Sequence, residues 1–196
     1  MSAVAPVEIP ETADQRVFLS NVTWNDFEVM LAIRGDNPAP RFTYLEGLLE
    51  IRSPSIDHEY VKKTLARLVE AWSTRAGVRL NGYGSWTLKD PAADRGLEPD
   101  ECYVLGRERK DRPDLAIEVI WTRGGIGKLE VYRGLRVGEI WLWRAGAIEV
   151  HVLVGEQYEQ RERSALLPSI DLMALARCAA VYDQWDALDD FLSSSG

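Results

Sequence analysis

The sequence has 196 residues, 46% of them hydrophobic, and this size and composition predict one globular domain with a sizeable core. Its formal net charge of −8 disfavours a protein whose purpose is tight general binding to nucleic acid, because phosphate contacts need a basic surface, but it allows an enzyme that touches a polyanion locally. No run approaches the roughly 20 apolar residues of a membrane span, and the two cysteines, Cys102 and Cys178, exclude a disulfide framework or a Cys-based zinc cluster. The N-terminus lacks the basic and apolar segments of a signal peptide, so we expect a cytoplasmic protein without membrane contact.

The N-terminal half of the chain alternates between patterns typical of helices and of strands. Thr23 or Asn21 is placed to cap a short helix, and Glu46-Gly47 separates two apolar runs as in a hairpin turn. Ser55 or Asp57 then opens a longer amphipathic helix. The predicted elements are, in order, a flexible arm over residues 1–20, a helix over about 24–33, a hairpin over 41–52 and a helix over about 55–76.

The C-terminal half continues this alternation. The predicted elements are a strand over 78–86, a loop over 89–96, strands over 97–105 and 114–121, a helix over about 126–136, a hairpin with strands over 139–143 and 147–154, a segment over 156–163 that extends the sheet or lies in a loop, and helices over 166–180 and 184–192. This order predicts one α/β domain over residues 21–192, with a mixed β-sheet core flanked by helices.

One predicted strand, Asp114–Trp121, has the β-branched and aromatic content of a buried strand yet carries two acids. With a period of two, Leu115 begins an entirely apolar face, and Glu118 lies on the opposite face. A carboxylate buried there without a partner would cost several kcal/mol. Glu118 therefore needs a cation, a hydrogen-bond network or a metal ion beside it.

The preceding strand supplies a second acid, Asp100, and the helix that follows Glu118 supplies a cation, Lys128, in its first turn. If the two strands are neighbours, the carboxylates lie close together and repel, unless a cation sits between them. Mg²⁺ typically takes one or two carboxylates together with waters and a phosphate. The three residues together predict a site that holds a metal, orients water and stabilises charge on a phosphate.

Five short motifs follow one another along residues 41–154, and their order and spacing are more specific than any motif alone. They are Tyr44-Leu-Glu-Gly-Leu-Leu-Glu-Ile-Arg-Ser-Pro54 with His58, Glu98-Pro-Asp100, Pro113-Asp-Leu-Ala-Ile-Glu118-Val, Lys128-Leu-Glu-Val-Tyr132 and Gly138-Glu-Ile-Trp141. With these motifs the sequence resembles the Uma2 family, also called DUF820, which belongs to the PD-(D/E)xK restriction-endonuclease-like nucleases.

The resemblance implies a restriction-endonuclease-like fold with an extra N-terminal hairpin and C-terminal helices, and a Mg²⁺- or Mn²⁺-dependent endonuclease that hydrolyses phosphodiester bonds. The site residues it implies are Asp100 and Glu118 as metal ligands, with Lys128, the hairpin acid Glu46 and the helix-opening His58 beside them. The last position of the usual E-x-K motif is Ile120 here, and in Uma2-like proteins the lysine has moved to the following helix, where Lys128 stands.

Each site residue also has a purely structural interpretation. Glu118 and Lys128 could form a buried salt bridge, His58 could cap or line the start of its helix, and Glu46 could be solvated in a tight turn. The expected partner is nucleic acid, with DNA as the substrate, and a homodimer is an alternative to a monomer. The acidic balance favours a rival function, in which a catalytically weak or inactive nuclease-fold protein acts as a binding or regulatory module. A third alternative is an enzyme that acts on a small phosphate ester or sugar.

Overall fold

A computed structural model describes residues 13–121 and 124–194 of the chain. Within these ranges there are five helices, α1 (Trp24–Arg34), α2 (Ile56–Arg75), α3 (Lys128–Leu135), α4 (Leu172–Cys178) and α5 (Gln184–Ser194). The strands in the same ranges are β1 (Gln15–Ser20), β2 (Arg41–Leu45), β3 (Leu48–Ser53), β4 (Leu80–Gly82), β5 (Leu88–Asp90), β6 (Arg95–Leu97), β7 (Glu101–Leu105), β8 (Leu115–Val119), β9 (Glu139–Arg144), β10 (Ala147–Val154) and β11 (Gln157–Arg161).

The strands form two sheets, and the mixed α/β fold class predicted from the sequence is confirmed. The hairpin sheet has the order β1-β3-β2-β6-β5, and its neighbouring strands run antiparallel. The central sheet has the order β11-β10-β9-β8-β7-β4 and is mixed, because β8 and β9 pair in parallel. Since parallel neighbours need a crossover connection, the chain passes through α3 between these two strands.

The central sheet is covered on both faces, as the alternation in β8 predicts. Leu115, Ile117 and Val119 belong to an apolar cluster that includes buried residues of α2, α4 and α5. Ala116 belongs to a second cluster on the other face, together with Val131 of α3. Glu118 lies on the α3 face of a strand that is buried on both sides, so its carboxylate has no direct access to bulk water.

Helix α3 links the two sheets and begins at the candidate lysine. It contacts β2, β5 and β6 of the hairpin sheet as well as β11 of the central sheet. Its first residue is Lys128 and its last is Leu135, and the next residue, Arg136, has a left-handed backbone with φ of 59°. The crossover therefore holds Lys128 between the hairpin sheet and the strand that carries Glu118.

Most elements lie within a few residues of their predicted bounds. The helix predicted over 24–33 is α1, and Thr23 caps it in a capping box, in which the Thr23 amide donates to Asp26 Oδ2 at 2.9 Å and the Asp26 amide donates to Thr23 Oγ1 at 3.2 Å. Ser55 caps α2, since its hydroxyl accepts a hydrogen bond from the His58 amide. The segment over 156–163 extends the sheet as β11.

The predicted arm over residues 1–20 needs correction. Residues 15–20 form β1, which pairs with β3 along its whole length, because the edge of the hairpin sheet satisfies its backbone hydrogen-bonding groups. Residues 1–12 lie outside the described part of the chain. The loop predicted over 89–96 is also wrong at both ends, where β5 and β6 pair with each other and extend the hairpin sheet beyond β2.

Two predicted strands and one predicted helix are shorter than expected. The strand over 78–86 is reduced to β4, and the helix over 166–180 to α4. The strand over 97–105 is divided, because β6 ends at Leu97 in the hairpin sheet while β7 begins at Glu101 in the central sheet. Asp100 therefore lies in the link between the sheets, directly before β7.

Among the described residues, no helix has both the length and the apolar character that crossing a bilayer requires.

Candidate active site

The two acids predicted from the strand pattern are neighbours in the structure. Strands β7 and β8 pair antiparallel with Glu101 opposite Ile117, and continuing this register by one residue brings Asp100 opposite Glu118. A hydrogen bond holds Asp100 against β8, since the Val119 amide donates to Asp100 Oδ2 at 2.8 Å. Asp100 is 1% exposed and Glu118 is fully buried, so the two carboxylates meet in the interior.

Asp100 is surrounded by cations. Its Oδ1 accepts hydrogen bonds from Arg41 Nη1 at 3.0 Å and Arg52 Nη2 at 2.7 Å. His58 Nε2 lies 3.1 Å from Oδ2. Burial opposes ionisation of Asp100, yet the charges of Arg52, His58 and Lys128 outweigh it and hold the pKa of this carboxyl well below its usual value. Asp100 is therefore an anion in the folded protein.

Glu118 receives both of its donors from α3. Lys128 Nζ donates to Oε2, and the Tyr132 hydroxyl, one helical turn further on, donates to Oε1 at 2.5 Å. Burial, with the charge of Asp100 adding to it, raises the pKa of Glu118 above its ordinary value against the opposing effect of Lys128. The pair is thus asymmetric: one acid is firmly ionised, and its neighbour holds a proton more readily than a free glutamate does.

His58 joins Asp100 to a third buried acid, Asp14, which precedes β1. Its Nδ1 lies 3.0 Å from Asp14 Oδ2, and Asp14 Oδ1 accepts from the Ser55 amide at 2.9 Å, at the start of α2. Burial works against the charged imidazole, but Asp100 and Asp14 outweigh it and raise the pKa of His58. Three carboxylates therefore face one histidine and three basic side chains, Arg41, Arg52 and Lys128.

A cavity of about 860 Å³ lies next to this cluster. Its wall contains four basic side chains and two acidic ones, together with the glycine-rich segment before α3; the basic residues are Arg16, Arg52, Lys128 and Arg144, and the acidic ones are Glu50 and Glu130. Neither Asp100 nor Glu118 is among the lining residues. The cations Arg52 and Lys128 thus stand between the buried acids and the space that a ligand could enter.

Two charged residues of the hairpin strand β3 belong to this site and were missed by the sequence analysis. Leu49 and Ile51 pack toward α1, whereas Glu50 and Arg52 alternate with them and face the cavity. Glu50 is 3% exposed, and its Oε2 accepts a hydrogen bond from the Ile126 amide at 2.9 Å. A strand in which one face is apolar and the other carries charges at alternate positions is a signal that could have identified both residues.

The sequence-predicted site residues are brought together with one exception. Asp100, Glu118, Lys128 and His58 form the cluster described above, whereas Glu46 does not join it. Glu46 occupies the tight turn between β2 and β3 with φ of 46°, its side chain is 63% exposed, and it pairs with Arg95 at 3.0 Å. The turn directs this side chain outward, so the buried acid that the hairpin brings to the cavity is Glu50.

Two comparisons with known proteins find a match for this chain. A family model for Uma2, described as "Putative restriction endonuclease", matches residues 24–180. Among solved structures, the chain is similar to one described as a "putative nuclease belonging to DUF820" from Anabaena variabilis, with 15% identity, a TM-score of 0.49, and coverage of 87% of this chain and 99% of the other. No curated protein matches the sequence. Because the family model spans most of the chain and its matched region includes Asp100, Glu118 and Lys128, this protein belongs to the Uma2 family.

Proposed function

We propose that this protein is a metal-dependent nuclease that hydrolyses phosphodiester bonds, with DNA as its substrate and Mg²⁺ or Mn²⁺ as its cofactor. The observation that carries the proposal is the pair Asp100 and Glu118, held side by side next to Lys128 and a cavity with a basic wall. Membership of a family described as restriction endonucleases supports the same chemistry.

Carboxylate oxygens such as those of Asp100 and Glu118 are the ligands that a hard divalent cation takes. No group of three or more His, Cys, Asp or Glu side chains in residues 13–121 and 124–194 is arranged to hold a metal, so a cation bound by this pair would take its remaining ligands from water and substrate. Two carboxylates with waters and a substrate phosphate are enough for Mg²⁺. Each oxygen of Glu118 accepts one hydrogen bond, from Lys128 or from Tyr132, and keeps a second lone pair. When bound, the ion would act as a Lewis acid and lower the pKa of a water.

Lys128 has a defined part in this proposal. Its ammonium group is anchored to Glu118 and lies in the cavity wall, at the start of α3. From there it can donate a hydrogen bond to the attacking water or to a phosphate oxygen as negative charge develops on it. A fixed donor of this kind stabilises the transition state more than the ground state.

The cavity wall suits a phosphate group rather than an uncharged ligand. Arg16, Arg52 and Arg144 join Lys128 there and outnumber the two acids Glu50 and Glu130. Guanidinium groups bind phosphate oxygens in pairs of parallel hydrogen bonds. Since the whole chain carries a net charge of −8, we propose a contact limited to this basic cavity and not a broad basic surface.

Dimer formation stays a prediction, which light scattering on the purified protein checks.

The decisive experiment measures nicking of supercoiled plasmid DNA and hydrolysis of bis(p-nitrophenyl) phosphate with Mg²⁺, with Mn²⁺ and with chelator. We expect metal-dependent cleavage that Asp100→Ala and Glu118→Gln abolish. The matched control is Asp111→Ala, which removes an exposed acid paired only with its neighbour Arg112. Absence of metal-dependent cleavage in the wild type, or full activity in Asp100→Ala, would contradict the proposal.

A second candidate function is a nuclease-fold protein without catalysis that acts as a binding or regulatory module. The observation that favours it is the internal neutralisation of the acids, because Asp100 is paired with two arginines and Glu118 with Lys128. Titration with Mn²⁺ separates the two candidates. A site that binds Mn²⁺ only when Asp100 and Glu118 are intact favours the enzyme, and its absence favours the module.

A further inference from the structure

Arg52 is the residue of the cluster that touches both the buried acids and the cavity. Its Nη2 donates to Asp100 Oδ1 at 2.7 Å, and its Nη1 lies 3.9 Å from Asp14 Oδ2. The side chain is only 4% exposed, yet it forms part of the cavity wall. Burial disfavours its charge, but the charges of Asp100, Glu118 and Asp14 outweigh this effect and raise the pKa of Arg52. The guanidinium of Arg52 thus balances the negative charge of the buried carboxylates beside it.

The acceptor positions of Asp100 are occupied by protein groups. Oδ1 accepts from Arg41 and Arg52, which is the full capacity of a carboxylate oxygen. Oδ2 accepts from the Val119 amide and has His58 at 3.1 Å. A metal ion coordinated by Asp100 must therefore displace one of these groups or crowd against it.

Of these groups, Arg52 is the one that can leave toward the cavity. The Val119 amide is fixed in the backbone beside β7, and His58 is also bound to Asp14. Arg41 is held in addition by the Pro99 carbonyl at 3.0 Å and by Glu59 at 3.5 Å, and it does not line the cavity. A phosphate that enters the cavity meets the guanidinium of Arg52 directly and competes with Asp100 for its N–H groups.

We infer that Arg52 is the counter-ion of Asp100 in the metal-free protein and that a substrate phosphate draws it away, so that substrate and divalent cation bind cooperatively. The inference rests on the proposed function, because it assumes that the acids bind a divalent cation. The exchange keeps each charge paired: the phosphate takes the guanidinium, and the cation takes its place beside Asp100 and Glu118. Such coupling is reciprocal, so the cation also raises the affinity for the phosphate.

The test measures Mn²⁺ affinity by electron paramagnetic resonance, which separates free from bound ion without measuring activity. For the wild type, we expect a phosphorothioate DNA duplex, verified intact after the titration, to raise the affinity for Mn²⁺ by about tenfold or more. Asp100→Asn with the same duplex is the control for Mn²⁺ that the DNA itself holds. This comparison depends on the wild-type protein and needs no variant of Arg52.

The second measurement uses Arg52→Met and Arg52→Gln, which remove the guanidinium and keep much of the side-chain length. We expect either variant to bind Mn²⁺ about tenfold more tightly than the wild type without DNA, and to gain little from adding DNA. Arg41→Met is the matched control, because it removes the other arginine from Asp100 Oδ1 but leaves Arg52 in place. Because Arg52 still pairs with Asp100 in this variant, duplex DNA should raise its Mn²⁺ affinity by about tenfold or more, as in the wild type.

The outcomes separate this inference from the proposed function. If wild type and Arg52 variants bind Mn²⁺ equally well, with Asp100 required and no effect of DNA, the role of Arg52 is refuted and the metal-dependent nuclease stands. If none of them binds Mn²⁺, with or without DNA, both proposals are refuted. If neither Arg52 variant folds, as judged by circular dichroism, the wild-type comparison with and without DNA decides the question.

Discussion

The Tyr132 hydroxyl donates a hydrogen bond to Glu118 Oε1 at 2.5 Å, although the two residues are 14 positions apart and lie on a helix and a strand. Tyr132 is fully buried, and its pKa is well above the usual value because of burial and the neighbouring charge of Glu118. Helical spacing alone places this tyrosine on the inward, apolar side of α3. The structure adds a polar role, in which α3 presents Lys128 and Tyr132 to the same carboxylate.

Replacing Tyr132 with phenylalanine should therefore destabilise the fold. The change keeps the ring but leaves a buried carboxylate with one donor fewer, and we expect a loss of about 1.5–3 kcal/mol, the range for hydrogen bonds to charged groups. Urea denaturation measures it. The matched control is Tyr158→Phe, where the lost bond is to the neutral Val137 carbonyl at 2.5 Å and the expected loss is about 0.5–1.5 kcal/mol. Equal losses in the two variants would argue against a charged acceptor.

Replacing Lys128 with methionine should separate catalysis from metal binding. Methionine retains most of the side-chain volume but has no ammonium group to stabilise developing charge, so we expect cleavage to fall by about 100-fold or more. Mn²⁺ affinity should not fall, because Asp100 and Glu118 remain and the cation that competes for Glu118 is gone. Cleavage assays and Mn²⁺ titration on the same preparation measure both quantities. The matched control is Lys110→Met, which removes a half-exposed lysine paired with Asp114 and should cleave like the wild type. Unchanged cleavage in Lys128→Met would show that Lys128 has no part in the mechanism.

Glu101 makes the stability of the protein depend on pH. Burial raises its pKa to about 7, with Glu70 adding to the effect and Lys62 opposing it. Because the folded state binds this proton more tightly than the unfolded chain does, the free energy of unfolding should fall as pH rises from the ordinary value of 4.5 to about 7. We expect Glu101→Gln to remove a decrease on the order of 1–3 kcal/mol over this window. Urea denaturation at several pH values measures it, with the exposed Glu156→Gln as control; an unchanged slope in Glu101→Gln would contradict the prediction.

The glycine pair before α3 allows a controlled test of the cavity wall. Gly125 has φ of 107°, and a Cβ there would lie 2.7 Å from Glu50 Oε2 and 3.0 Å from Arg16 Nη1. Gly124 also has a positive φ, of 89°, but a Cβ there would meet nothing within 4 Å. Both alanine variants therefore carry backbone strain, and only Gly125→Ala also displaces Glu50.

We expect Gly125→Ala to cost about 1–3 kcal/mol more in stability than Gly124→Ala, and to lower cleavage by more, because the Glu50 contact with the Ile126 amide is disturbed. Thermal denaturation and the plasmid assay compare the two variants. Identical behaviour would mean that the position of Glu50 does not matter for the cavity.

Part of the candidate site could be predicted because it depends on local order in the chain. Strand alternation places Glu118 opposite the apolar face of β8, and the short link from β8 to α3 brings Lys128 back to it. Asp100 precedes the strand that pairs with β8, so a single antiparallel register is enough to join the acids. The start of α2, which places His58 in its first turn, follows from the cap residue Ser55.

The remaining partners could not be predicted, because they come from another sheet. Arg41 and Arg52 reach Asp100 over 59 and 48 positions in the chain, through the hairpin sheet. Asp14 belongs to a segment predicted as a flexible arm, and the pairing of β1 with β3 puts it beside His58. Glu50 was not among the predicted site residues, since burial of an acid depends on the surface that packs against its strand, and Glu46, which was, lies exposed in the turn.

The sequence by itself determined the mixed α/β class, the two strand-associated acids and the lysine at the start of the following helix, because the periodicity of strands and helices and the caps at their ends are local properties of the chain. Only the tertiary structure decided which charges neutralise those acids and that Arg52 stands between Asp100 and the cavity. The physical reason is that a buried charge is compensated by whatever group the packing of the two sheets brings within hydrogen-bond distance, and that packing joins segments that are remote in the chain.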